Sequence, residues 1–308
     1  MSYKSMYINN QLKVMSASNT TRNNEWFKLP NLPEMIRSVI QIKSKLLRNA
    51  LAEAVGTFIL LFIGTSIIAQ LHLPHGTINT WVQINVGWGF AITISVTSVS
   101  HISGGHLNPA ISVLFFSMGM LDIISLPIYI IAQHIGAFFG AAATYVIYRD
   151  AINNYDGGIR AVSGPNGTAG IFATYPQPYM SPLSTYLDQI VGTGLLAFCV
   201  LVIIDQRNKI PSAAHPLLFG ISLLVIGCGF GVNCGYPLNP ARDFAPRIFS
   251  YFIYGKEVFT HPWRCWFLVP IIAPTLGALI GGWFYIILLG SHIPDQESLQ
   301  EGSQTKER

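Results

Sequence analysis

Two short motifs, Asn108-Pro109-Ala110 and Asn239-Pro240-Ala241, carry the residue types from which the chemistry of this chain is predicted. In each motif Asn is a favoured N-cap, and Pro at the first helical position lacks an N–H that the helix could not use. Each motif therefore predicts the start of a helix. The apolar run after Pro109 ends at Met118, which gives about 15 Å of helix, or half of a roughly 30 Å bilayer core. A helix of this length crosses only half of the bilayer core, so we expect a second half-length helix to complete the crossing.

The surroundings of the two motifs are repeated as well. Gly89 and Gly220 lie nineteen residues before Asn108 and Asn239, respectively. Two further pairs of segments match at similar offsets: Ala52–Thr57 with Asp188–Thr193, and Ala132–Ala137 with Ala273–Ala278. The chain is therefore interpreted as an internal repeat of one structural unit.

Composition places the chain in a membrane. Of its 308 residues 51% are apolar and only 10% are charged, against about 25% charged in soluble domains. A net charge of +4, with scattered cationic residues, does not favour nucleic acid as a partner. The four cysteines lack ligand spacing, so neither a metal site, a disulfide framework nor a cofactor is predicted.

The topology follows from hydropathy and charge. Residues 1–47 form a polar tail rich in Lys and Arg, which the positive-inside rule places in the cytoplasm as a mostly disordered segment. Six spans are predicted at about 49–71, 81–101, 123–147, 184–204, 214–233 and 265–289. An even number of spans returns the polar tail 291–308 to the cytoplasm. Repeat one (48–148) and repeat two (184–290), joined by an outer loop at 149–183, then form an all-α inverted repeat.

The two predicted half-helices meet at mid-membrane with their amino termini facing each other. Each terminus contributes about half a positive charge, which repels cations, and each Asn can donate to a passing oxygen. Irregular backbone before the motifs is tolerated at membrane depth only where it lines water. The candidate pore-lining residues there are Gly104, Gly105, His106, Gly235 and Pro237. This pattern predicts a pore for neutral, hydrogen-bonding solutes with a barrier to protons and cations.

With these features the chain resembles the major intrinsic proteins, the aquaporin family, over about residues 48–290. The residues that resemble its glycerol-conducting branch, the aquaglyceroporins, are Tyr148, Asp243, Arg247, Pro270 and Ile271. The resemblance implies six transmembrane helices with two re-entrant half-helices, a homotetramer in the plasma membrane, and a passive channel rather than an enzyme. The solutes implied are glycerol, water and other small neutral molecules such as urea.

The resemblance also implies a narrow outer selectivity filter at Trp88, Gly227, Tyr236 and Arg242. Arg242 can donate to hydroxyl groups, while Trp88 and Tyr236 offer an apolar corner to a carbon backbone. Gly227 leaves room, and we expect a larger side chain there to project across the lumen toward Trp88. A polyol has the two faces that this combination would recognise.

Several residues keep two interpretations at this stage. His106 is either a packed, backbone-bonded histidine or a proton-sensitive gate at the cytoplasmic mouth. Asp243 and Arg247 either form a structural ion pair at i,i+4 spacing or contact solute. Glu53 is expected to accept hydrogen bonds from pore-lining backbone, and its counterpart is the neutral Gln189. Asn166, in the sequence Asn-Gly-Thr on the outer loop, is a candidate glycosylation site.

Two alternative functions remain open from the sequence. A water-selective aquaporin would share the same motifs. An ion-coupled secondary transporter of a small polyol would also use inverted repeats and broken helices. Such coupling usually needs an ionisable group near the midplane, and the only acidic residues in the predicted spans are Glu53 and Asp188, close to span ends.

Overall fold

The computed structural model describes residues 31–294, and most of these residues are helical. The helices are α1 (Leu32–Ile40), α2 (Lys45–His72), α3 (Trp81–Ser103), α4 (Pro109–Ser117), α5 (Ser125–Asp156), α6 (Pro182–Ile204), α7 (His215–Cys234), α8 (Pro240–Tyr254) and α9 (Val269–Leu288). Short 3-10 helices lie at Ala169–Ile171, Gln206–Asn208, Ser212–Ala214, Gly255–Phe259, Trp266–Leu268 and Gly290–His292. In this part of the chain, extended pairing is confined to one isolated bridge between Ala161 and Gly167. The all-α fold class predicted from the sequence is confirmed.

The chain divides into two units, residues 1–43 and residues 44–308. In the first unit, α1 lies within the segment that the sequence predicted to be a mostly disordered tail. The rest of that tail before residue 31, and the tail after residue 294, lie outside the described residues.

Six helical segments of the second unit are long and apolar enough to cross a membrane: Lys45–His72, Trp81–Ser103, Ser125–Asp156, Pro182–Ile204, Ser212–Cys234 and Trp266–His292. Their ends agree with those of the six predicted spans to within four residues, with one exception. The third span was predicted to stop at residue 147, whereas α5 continues to Asp156 and ends at Gly157, which has a φ of +65°. The polar residues that ended the apolar run belong to the helix, because Asp156 and Asn153 both bind the side chain of Arg160.

The two half-helices begin as the motifs predicted. The Oδ1 atom of Asn108 accepts from the backbone N–H of Ala110 at 2.9 Å. The Oδ1 atom of Asn239 accepts from Ala241 at 3.0 Å and from Arg242 at 3.2 Å. Both side chains therefore satisfy amides that have no partner within the helix.

The repeat is visible in the packing. Within repeat one α2 packs chiefly on α5, and within repeat two α6 packs chiefly on α9. Glycines allow both contacts: a Cβ on Gly136 would meet the backbone of Ala54, and a Cβ on Gly277 would meet the backbone of Ile190. The helices of each pair thus approach backbone to backbone, as small residues permit in membranes.

Candidate functional site

The loops before the half-helices are joined by a reciprocal pair of hydrogen bonds. Asn108 Nδ2 donates to the carbonyl oxygen of Leu238 at 3.0 Å, and Asn239 Nδ2 donates to that of Leu107 at 2.8 Å. Leu107 and Leu238 both adopt left-handed backbone, with φ of +51° and +47°. The two amino termini therefore meet, and each Asn keeps a second amide N–H beyond the one in the cross-bond.

A single cavity of about 870 Å³ passes this meeting point. Its lining includes Ser212 just before α7 and Cys234 at the end of α7, so it extends along the whole of that helix. Both Asn108 and Asn239 line it. The predicted backbone positions also line it: Gly104, Gly105, His106, Gly235 and Pro237.

Glu53 holds the loop before α4. Its carboxylate is completely buried, and Oε1 accepts from the backbone N–H of His106 at 2.9 Å while Oε2 accepts from that of Leu107 at 2.7 Å. The side chains of Ser103 and Gln133 donate to the same two oxygens at 2.7 and 2.9 Å. The expectation that Glu53 accepts from pore-lining backbone is confirmed. With its amides directed at Glu53, this loop is free to present carbonyl oxygens to the lumen.

In the second repeat, an amide rather than a carboxylate binds the loop before α8. Gln189 Oε1 accepts from the backbone N–H of Leu238 at 3.3 Å, and its Nε2 donates to Asp188 Oδ2 at 2.7 Å. The other oxygen of Asp188 accepts from Asn233 Nδ2 at 2.8 Å. The carboxylate of this repeat thus belongs to the neighbouring residue, Asp188, and it orients the Gln189 amide that binds the loop. Sequence reasoning missed this role of Asp188, although an acid directly before Gln189 was the available signal.

Arg242 lines the cavity beside two aromatic rings. It is only 5% exposed, and its Nη1 donates to the carbonyl oxygen of Phe172 at 3.0 Å. Its guanidinium lies 4.7 Å from the centre of the Trp88 ring, a cation–π distance. Tyr236 also lines the cavity and packs edge-on against Trp81 at 5.9 Å. Three of the four predicted filter residues, Trp88, Tyr236 and Arg242, therefore line the same cavity.

Gly227 is placed differently from the other three. The cavity lining includes its neighbour Cys228 but not Gly227 itself. A Cβ added to Gly227 would lie 2.7 Å from Tyr236 Cζ and 3.0 Å from Asn85 Cγ. A side chain there would therefore meet the amide oxygen of Asn85 first and the ring of Tyr236 next, which corrects the expectation that it would project across the lumen. Gly227 makes room for the ring that lines the wall.

Asp243 and Arg247 form a completely buried ion pair. Asp243 Oδ1 accepts from Arg247 Nε at 3.1 Å and from Nη2 at 2.8 Å. Asp243 Oδ2 accepts from the backbone N–H and the hydroxyl of Thr174 at 2.8 and 2.6 Å, and Arg247 donates to the carbonyl oxygens of Thr174 and Val258 at 2.6 and 2.7 Å. Neither residue lines the cavity. The contacts favour the structural interpretation of the pair, which fastens α8 to the loop between the repeats.

The same loop contributes Tyr175 to the cavity wall. Burial raises the pKa of Tyr175 to about 12, so the phenol stays neutral at physiological pH. The guanidinium of Arg247 lies 4.7 Å from the centre of its ring.

His106 is both packed and exposed to the cavity. Its Nδ1 pairs with Ser112 Oγ at 3.1 Å, and its ring meets Phe115 edge-on at 4.7 Å and Tyr129 at 5.0 Å. It also lines the cavity. The geometry is compatible with both interpretations given to this residue from the sequence.

The remaining predicted residues lie away from the main cavity. Tyr148 is inside α5 rather than at its end, and its hydroxyl accepts from Gln70 Nε2 at 2.8 Å. Pro270 is buried and Ile271 half-buried in the first turn of α9. Asn166 is exposed, whereas Thr168 of the same tripeptide is buried and bonded to Tyr254 at 2.9 Å.

Comparison with known proteins gives consistent matches. The family described as Major intrinsic protein matches residues 41–285. Aquaporin-10 of Homo sapiens is 42% identical over 265 residues, which cover 85% of this chain and 88% of the relative. Aquaglyceroporin-2 of Rhizophagus irregularis is 41% identical over 245 residues, covering 79% and 77% of the two chains. The solved structure of the aquaglyceroporin from Plasmodium falciparum is similar with a TM-score of 0.74 and 30% identity, and the match covers 80% of this chain and 98% of that one.

Proposed function

The chain belongs to the major intrinsic protein family and is a membrane channel, not an enzyme, and we propose that it conducts glycerol and water by passive diffusion while excluding protons and other ions. The observation that carries this proposal is the pair of crossed hydrogen bonds that brings two half-helix amino termini together inside one cavity. Its relatives named aquaporin-10 and aquaglyceroporin-2 support the choice of solutes.

The outer part of the cavity suits a polyol. Arg242 lines it with a guanidinium that can donate to hydroxyl groups, whereas Trp88 and Tyr236 line it with aromatic rings. A solute with hydroxyl groups along one edge and C–H groups along the other would fit both kinds of surface at once. Water would use the polar side alone, and small neutral solutes such as urea would be further candidates.

Exclusion of cations follows from the charges along the path. Two half-helix amino termini contribute about half a positive charge each, and Arg242 adds a full charge on the outer side. Asn108 and Asn239 each bring a remaining amide N–H to the cavity wall. Donors at this point orient a passing water molecule so that it accepts, which breaks a continuous hydrogen-bonded path for protons.

The competing function classes receive less support. Glu53 and Asp188 are both held by hydrogen bonds from the protein itself, so neither offers a free carboxylate for ion coupling. A water-selective pore is less well supported than a glycerol pore, because aquaglyceroporins occur among both the relatives and the similar solved structures.

Assembly and location are part of the same proposal. We infer a homotetramer with one pore in each subunit, placed in the plasma membrane with both termini in the cytoplasm. Support comes from the family resemblance and from the basic residues before α2. Asn166 would then face outward, where its exposure suits glycosylation. A detergent-corrected mass tests the tetramer, and the mobility of the expressed protein before and after removal of N-glycans tests Asn166.

Stopped-flow light scattering on proteoliposomes tests the transport proposal. After a step in external glycerol, vesicles with the channel should shrink and then reswell rapidly, whereas after a step in sucrose they should shrink and stay small. Voltage clamp of expressing cells should show no solute-linked current. Reswelling no faster than in protein-free vesicles would refute glycerol conduction, and a glycerol-dependent current would refute ion exclusion.

A further inference from the structure

The helix α1 carries an apolar stripe of exposed side chains. The stripe is formed by side chains at positions i, i+3, i+4, i+7 and i+8, each more than half exposed: Leu32, Met35, Ile36, Val39 and Ile40. The opposite face carries Glu34, Arg37 and Ser38, and the first two form an exposed ion pair at 3.4 Å. A nine-residue helix with one wholly apolar face requires an apolar surface to cover it.

The length of the connecting chain limits what that surface can be. Only residues 41–44 separate α1 from α2, which starts the first membrane span at Lys45. The five steps from Ile40 to Lys45 reach at most about 18 Å when fully extended. The apolar surface that lies within this reach in every copy of the protein is the membrane itself, beside the point where α2 begins.

The charges near this junction fit a lipid surface. Lys43 and Lys45 are both exposed, and no acidic residue lies between Glu34 and Lys45 to offset them. Basic residues beside an amphipathic helix bind anionic headgroups, while the apolar face lies about 5–10 Å deep at the boundary with the acyl chains.

We propose that α1 lies along the membrane surface on the side where α2 begins, with its apolar stripe in the bilayer and with Lys43 and Lys45 against anionic headgroups. The proposal needs only that α2 spans the membrane, so it does not depend on which solutes pass.

Spin labels on the full-length protein in vesicles can test this arrangement. The four native cysteines would first be replaced, and the parent variant would be required to retain the helix content and the thermal stability of the wild-type protein. Single labels would then be placed by Ile36→Cys on the apolar stripe, by Ser38→Cys on the polar face, and by Leu47→Cys as a reference, because Leu47 is 61% exposed on α2. Collision rates with oxygen report on lipid, and collision rates with a water-soluble nickel chelate report on solvent.

The proposal expects the label at 36 to resemble that at 47, with a ratio of oxygen to nickel accessibility several-fold above that at 38. Labels at 36 and 38 that are equally open to nickel would overturn it, since α1 would then lie in water. A label at 36 shielded from both reagents would also overturn it, since the stripe would then be covered by protein, either this channel or another copy.

A charge placed on either face gives a matched control. With the label at 36, Val39→Asp should release the helix and raise nickel access several-fold, whereas Ser38→Asp adds the same charge to the polar face and should change little. Equal responses to the two changes would contradict insertion of the stripe. Vesicles of phosphatidylcholine alone should hold the helix less firmly than vesicles with added phosphatidylserine, and no difference between them would refute the role given to Lys43 and Lys45.

Discussion

Gly227→Ala is the most direct test of how the outer wall of the cavity is built. The added Cβ would lie 2.7 Å from Tyr236 Cζ, whereas carbon atoms in contact are about 3.5–4.0 Å apart. The ring must therefore move by about 1 Å, and the amide oxygen of Asn85, which would be nearer still, must move as well. Behind the ring lies α7, because a Cβ on Gly231 would also be 2.7 Å from a ring atom, Tyr236 Cδ1. We therefore expect the ring to move away from α7 and to narrow the cavity, which Tyr236 lines.

The expected result is a selective loss of glycerol flux. Overpacking costs about 1–3 kcal/mol, and if about 1.4 kcal/mol of this appears in the barrier for glycerol, its permeability falls about tenfold. Water needs less width and should lose much less. The assay is stopped-flow light scattering with glycerol and with sucrose on proteoliposomes that contain equal amounts of folded protein.

Two further variants separate this mechanism from a general defect. Val225→Ala changes a side chain on α7 that is 58% exposed and does not line the cavity, and it should leave both fluxes unchanged. In a Tyr236→Ala background, Gly227→Ala should lower glycerol flux less than it does in the wild-type protein, because the ring that it displaces is absent and only the contact with Asn85 remains. A ratio of glycerol to water permeability that is the same in Gly227→Ala and Val225→Ala would refute the reasoning.

Three other substitutions probe the interactions around the pore. Tyr236→Phe removes a buried hydroxyl that has no hydrogen-bond partner in the described residues, so thermal stability should be unchanged or higher and glycerol flux retained; a lower melting temperature would argue that the hydroxyl has a partner. Asp243→Asn leaves the Arg247 guanidinium buried without a counter-charge and should cost about 3–5 kcal/mol, measured as thermal unfolding in detergent. Asp243→Leu combined with Arg247→Met should be less damaging, and the reverse order would contradict the interpretation as an ion pair. Glu53→Gln leaves one acceptor oxygen for the two backbone amides before Asn108 and should cost about 1.5–3 kcal/mol and reduce flux of both water and glycerol; full activity at wild-type stability would show that this loop is held in another way.

The features that the sequence predicted well are those set by local chemistry. An Asn N-cap followed by Pro defines the start of α4 and of α8 within a few residues, so the half-helices could be placed without knowledge of the fold. A buried acid in an apolar segment, such as Glu53, has to meet donors, and loop amides were the nearest candidates. The inverted repeat then predicted that the two half-helices enter the membrane from opposite sides.

The features that the sequence missed depend on distance and direction in space. The lack of a side chain at Gly227 was visible, but whether the empty space faces the lumen or the back of Tyr236 depends on the rotation of α7. The end of α5 at Asp156 was missed because hydropathy marks the end of the apolar run, whereas the helix continues to where Arg160 binds its last turn. The helix α1 was missed because its nine residues are shorter than the windows used for membrane segments and stand beside a polar tail.

The crossed bonds between the two halves also determine the order in which the pore can be completed during synthesis. Asn239 binds the carbonyl of Leu107, 132 residues earlier in the chain, and ribosomes add about 5–20 residues per second. The first half-helix therefore waits roughly 7 to 26 s before its partner exists. During that interval the carbonyl of Leu107 and the amide of Asn108 must be held by water, by lipid headgroups or by the insertion machinery, since bare hydrocarbon cannot satisfy them. The meeting point of the two half-helices consequently assembles late, and a ribosome that stalls before residue 239 leaves an insertion intermediate whose polar groups at this point are unpaired.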